Sequence, residues 1–163
     1  MKARNGNGGT VVLGVLLILT ALCGPKVQAG KLPEPARGGT VYIPAYSHVY
    51  HGDKERPFYV TTTLSIRNVD LRHPITVQDI DYYDFKGQLL RKCIDKPVIL
   101  NPQGTEEVII RESDKSGGFG AHFIVRWKSG HDVDPPIMET VIIGSSGQQG
   151  ISFTSRGVTV RER

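Results

Sequence analysis

Apolar side chains recur at every second position along most of this chain, and that period admits only an extended backbone. In AHFIVRW, Ala121, Phe123, Val125 and Trp127 share one side, while His122, Ile124 and Arg126 share the other. Val60, Thr62, Leu64 and Ile66 repeat the pattern in the run FYVTTTLSIRN. TVYIPAY, ITVQDIDYYD, LLRKCI, EVIIRE, ETVIIGS and ISFTS are further short runs rich in Val, Ile, Thr, Tyr and Phe. Turn-forming segments separate them: NVDLRHP, DFKGQ, NPQGT, DKSGGFG, SGHDVDPP and SSGQQG. No segment with helical periodicity follows the N-terminal leader. Phe85-Lys86-Gly87-Gln88 reads as a hairpin turn in which Gly87 takes positive φ. The run 75–83 changes phase, because Ile75 and Val77 agree with each other and Ile80 and Tyr82 with each other. A β-bulge near Gln78-Asp79 accounts for the change. About seven or eight strands at regular spacing predict an all-β, immunoglobulin-like two-sheet sandwich, with a small β-barrel as the alternative. The Cys-Trp-Cys core of antibody domains is absent, so the prediction concerns architecture alone.

The first 29 residues read as a signal peptide. Lys2 and Arg4 precede the apolar run VVLGVLLILTAL, and Val27-Gln28-Ala29 suits cleavage after Ala29. The run spans roughly 18 Å as a helix, short of a bilayer core of about 30 Å. A competing reading acylates Cys23 in LTALC and leaves the protein lipid-anchored. Both readings export the chain to the periplasm or beyond, and a membrane is involved only through the leader or the lipid. Residues 30–39, GKLPEPARGG, read as a flexible linker ahead of a single domain over 40–160. The formal net charge of +4 owes much to Lys2, Arg4 and Lys26, so no nucleic-acid partner is implied. Cleavage leaves Cys93 alone, which excludes an internal disulfide and reads as a buried thiol.

In combination, VYIPAYSHVYHGD, TLSIRNVD, HPITV, DYYDFKGQLLR, SGGFGAHFIVRW and QQGISFTSRG resemble a bacterial family, domain-of-unknown-function family three-one-two-four. The resemblance runs from about residue 40 to about residue 157. It implies a short, exported, single-domain envelope protein, sometimes a lipoprotein. It implies no activity, substrate or catalytic residue.

The segment AYSHVYHGD is the richest in chemistry. A metal ion requires ligands converging at about 2.0–2.1 Å, yet His48 and His51 have opposite parity in an extended chain. A turn through Gly52 is needed to bring them together, with His122 or His131 as a further ligand. Parity also places Val41, Ile43, Ala45 and Val49 inward and Tyr42, Tyr46, His48 and Tyr50 outward. Pro44 lacks a backbone donor, which suits an edge strand. The expected site is therefore an aromatic stripe of Tyr42, Tyr46, His48 and Tyr50 on an edge strand, with His51 and Asp53 at its rim. Tyrosines offer flat apolar area with a polar tip, which suits a glycan or an envelope protein as partner. The chain is expected to be non-enzymatic and to need no cofactor. The alternatives are a metal-dependent or hydrolytic enzyme using His48 and His51 with Asp53, and a structural component pairing through its edge strand.

Other motifs favour bland readings. Asp79, Asp81 and Asp84 read as a solvated acidic face, with Arg67 or Arg126 opposite. SGGFG lacks the helix start and the Lys-Ser/Thr pair of a phosphate loop, and reads as a connecting loop. GQQGISFTSRG places Ser152, Thr154 and Arg156 on one side of a terminal strand. It lacks the closing glycine of a nucleophile elbow.

Overall fold

The computed structural model describes residues 34–161. The expected signal peptide, Cys23 and the cleavage point after Ala29 lie outside the described residues. Twelve strands follow in order: β1 (Ala36–Pro44), β2 (His48–His51), β3 (Arg56–Tyr59), β4 (Thr61–Arg67), β5 (Ile75–Tyr83), β6 (Leu89–Lys92), β7 (Val98–Leu100), β8 (Thr105–Ile110), β9 (His122–Val133), β10 (Ile137–Ser146), β11 (Gln149–Arg156) and β12 (Val158–Val160). One sheet has the order β12-β1-β9-β5-β6, with β7 also on β5, and the other has β11-β10-β4-β8. A third, two-stranded sheet is the β2–β3 hairpin. Among the described residues all pairings are antiparallel and no sheet closes into a barrel, so the architecture is a β-sandwich.

The core follows the alternation. Val41 and Ile43 of β1, Phe123, Val125 and Trp127 of β9, and Ile80 and Tyr82 of β5 are buried. They belong to one apolar cluster with Leu64 and Ile66 of β4, Ile110 of β8 and Met138 of β10. The bulge is where the change of phase placed it, between Val77 and Asp79 against β9. Gly87 has φ +77° in the turn between β5 and β6, and the Asp84 carboxylate accepts the backbone N–H groups of Lys86 and Gln88, each at 2.8 Å.

Several expectations require correction. The strand count exceeds seven or eight, because β2, β7 and β12 were not anticipated and FYVTTTLSIRN divides at Val60 into β3 and β4; SGHDV, read as part of a turn, instead continues β9. Residues 36–39, read as the end of a linker, belong to β1. Gly38 there faces the Trp127 carbonyl, 2.8 Å from where its Cβ would stand, so this glycine serves close strand approach rather than flexibility. Nor is β1 an edge: β9 pairs along it and β12 covers Thr40–Tyr42 on the other side. Pro44 lies beyond the end of β12, where a missing donor leaves no ladder bond unmade on that side.

The acidic face also differs. Asp81 is buried beneath Arg126 Nη1 at 3.2 Å and Lys92 Nζ at 3.8 Å, while Arg126 is 4.0 Å from Asp79. The other expected partner, Arg67, instead pairs with Glu139 at 3.1 Å. Cys93 is half-buried, and burial pushes its thiol pKa up while the nearby Arg91 opposes the shift.

Candidate aromatic recognition surface

After Pro44 the backbone leaves the sheet for three residues and re-enters extended structure at His48. Three backbone bonds hold this crossover: Ala45 N–H to the Ala121 carbonyl at 2.8 Å, Ser47 N–H to Gly118 O at 3.0 Å, and Val60 N–H to Ser47 O at 3.2 Å. Alternation survives the break, since Ala45 and Ser47 are buried and Tyr46 and His48 are not. The hairpin that follows turns over Gly52–Glu55, where Gly52 has φ +67° and Glu55 N–H donates to Gly52 O at 3.0 Å.

The expected stripe is thereby divided. Tyr42 stays on the outer face of β1 and stacks on His122 at 4.6 Å between centroids. His122 stacks in turn on Tyr83 at 5.3 Å, so an imidazole on β9 is held between phenol rings from the flanking strands β1 and β5. Tyr46 is half-buried, edge-on to Phe119 at 5.4 Å and to Phe153 at 5.5 Å. The Thr62 hydroxyl donates to its carbonyl at 2.8 Å. Tyr46 is therefore a supporting ring rather than a freely presented one. His48 sits between Tyr50 at 4.8 Å and Tyr59 at 6.0 Å.

Tyr50 is the ring of the original set that faces solvent, at 56% exposure. It lies 5.9 Å from Phe119, itself 49% exposed. Phe85, 61% exposed, lies close against Gly118 and Gly120 on either side of Phe119 in sequence. A Cβ at Gly118 would stand 2.9 Å from the Phe85 ring, so the glycine loop is the bed on which that ring rests. Tyr50, Phe119 and Phe85 thus form an outward apolar surface at one end of the sandwich, backed by Tyr46 and carrying Lys86 5.4 Å over Phe85. Beside it, Lys115 stands 4.1 Å over Tyr59. His51 and Asp53 are exposed at the hairpin tip, with His51 edge-on to Phe58 at 5.9 Å.

Phe119, Phe85, Tyr59, Phe153 and His122 were not in the expected site. The signal for Phe119 was present, as a single large apolar residue in a glycine loop that has no core position to fill. Phe85 gave the same signal inside a hairpin turn.

His48 and His51 are not brought together, because β2 keeps them at opposite parity, opposite Tyr59 and Arg56 respectively. Among the described residues, no group of three or more His, Cys, Asp and Glu side chains is arranged to hold a metal ion. Arg156 lines a groove of about 430 Å³ with Val69, Asp134, Pro135, Pro136 and Ile137.

A model of the family described as "Protein of unknown function (DUF3124)" matches residues 38–160. The chain belongs to that family. The match runs from the third residue of β1 to the end of β12 and brings no assigned activity with it. No curated protein matches the chain. Among solved structures, the chain is similar to "Crystal Structure of Thermotoga maritima 1070", a protein of Thermotoga maritima. The two share 12% identity over 76% of this chain and 94% of that one, with a TM-score of 0.42.

Proposed function

We propose that this DUF3124 chain is an exported, non-enzymatic binding module that recognises a glycan or a protein of the bacterial envelope. The observation that carries the reading is the exposed apolar surface of Tyr50, Phe119 and Phe85 on a framework of paired strands. Clustered large apolar groups facing solvent raise the free energy of the isolated protein and are relieved by a partner. Rigid aromatic rings lose little entropy when they are covered. The leader supplies the export half of the reading, either by cleavage after Ala29 or by acylation of Cys23.

Tyr50→Ala and Phe119→Ala, separately and together, test the reading. Both rings are half exposed, so circular dichroism and the thermal midpoint should stay close to the parent. Crosslinking in intact cells followed by affinity capture should lose the partner band, with each single change weakening binding about tenfold or more. A glycan array with the same variants separates the two partner classes. Unchanged capture by the folded double variant would dispose of the surface.

A further inference from the structure

The second sheet ends in β11, an eight-residue strand paired to β10 through eight consecutive residues without a bulge. Among the described residues, no strand lies on its other side. Its backbone orientation follows from two bonds. Gly157 N–H donates to the Met138 carbonyl at 2.8 Å, and the Thr140 hydroxyl reaches the Ser155 carbonyl at 3.4 Å. Odd-numbered residues therefore turn their backbone groups toward β10, and Gly150, Ser152, Thr154 and Arg156 turn theirs away from it.

Edges of this kind recruit another strand unless they are short, charged, bulged or broken by proline. The other edges of the two main sheets carry such protection. β12 and β7 have three residues each, β6 has four with Arg91 and Lys92, and β8 carries Glu106 and Glu107. β11 has no proline, no lysine, no acid, and one charge at its last position.

We infer that β11 is a self-association edge, pairing antiparallel with β11 of a second copy about a two-fold axis at Phe153. Even-numbered residues must face even-numbered ones for the outward bonds to form. With Phe153 opposite its own copy, Ser152 meets Thr154 and Gly150 meets Arg156, so the outward backbone groups of all four even positions are used. Each Arg156 lies opposite a glycine, and the like charges stay apart. The two four-stranded sheets become one continuous sheet, and the isologous contact closes at two copies. The pairing places two Phe153 rings at the axis, each already in contact with its own Tyr46.

The register makes the test selective. Thr154→Pro removes an outward donor and leaves the β10 ladder intact, so the variant should fold like the parent. Sedimentation of the protein purified from its cells should show a dimer for the parent and a monomer for Thr154→Pro. Thr154→Lys, which alters only an exposed side chain, should also give a monomer and serves if the proline variant fails to fold. With Cys93→Ser as background, Phe153→Cys should form an intermolecular disulfide under oxidation. A parent that stays monomeric at high concentration, a dimer untouched by both folded Thr154 variants, or open-ended polymers would each overturn the inference.

Discussion

Single side chains at the buried crossover define what the fold tolerates. The hydroxyls of Tyr82 and Ser47 are both buried without a hydrogen bond among the described residues. Burial pushes the Tyr82 phenol pKa up. An unpaired buried hydroxyl costs its own desolvation, so Tyr82→Phe should leave stability unchanged or raise it by about 1 kcal/mol, read from urea unfolding. A marked loss would mean that the hydroxyl is paired after all. Gly117 makes the opposite case. A Cβ there would collide with the Tyr82 hydroxyl and stand 2.7 Å from the Ala121 methyl. Gly117→Ala should destabilise by about 1–3 kcal/mol, and adding Tyr82→Phe should recover part of the loss. The glycine-rich loop SGGFG is thus a packing requirement as well as the bed for Phe85 and Phe119. Its residue types announced a turn, but nothing local announced which ring would occupy the space.

Connections between strands carry charge-dependent stability. The loop from β4 to β5 is organised by Asn68, whose amide donates to the carbonyls of His73, Leu100 and Asn101 at 3.0 to 3.1 Å. Asp70 continues the arrangement by accepting the N–H groups of Arg72 at 2.8 Å and His73 at 2.7 Å. Those two bonds hold its carboxyl below the ordinary value of 3.8. The unfolded chain therefore takes up this proton before the folded one. The stabilisation is complete above the ordinary value and is lost as pH falls through the folded value. Unfolding midpoints measured from about pH 5 down to about pH 2 should fall for the parent and fall less steeply for Asp70→Asn. Equal slopes would remove Asp70 as a contributor. The imidazoles of His73 and His131 stack beside this loop with centroids 4.3 Å apart.

Across the whole molecule, the C-terminal strands tie the two sheets together. β11 belongs to one sheet and β12 to the other, and only Gly157 separates them. A Cβ on Gly157 would stand 2.7 Å from Val41 and 2.8 Å from Ile43, so the crossing presses on the core. Deleting Val158–Arg163 removes the cover over Thr40–Tyr42 and bares the edge of β1. The shortened protein should melt at lower temperature and aggregate with rising concentration, followed by light scattering. An unchanged midpoint would show that β12 is dispensable.

Alternation alone identified most of the strands, inward residues such as Val41, Ile43, Leu64, Phe123 and Trp127, and the bulge at Gln78-Asp79, but not β2, β7 or β12. Side-chain direction in an extended chain is a local property with a period of two, so it can be read without knowing any partner. It also kept Tyr42, Tyr46, His48 and Tyr50 off the core face. Strand order is not local. That β12 covers β1, that β11 is left as an edge, and that Tyr46 lies under Phe119 and Phe153 depend on contacts between residues far apart in sequence. The exposed surface of Tyr50, Phe119 and Phe85 exists because a hairpin, a glycine loop and a turn meet at one end of the sandwich, and only tertiary packing brings those three segments together.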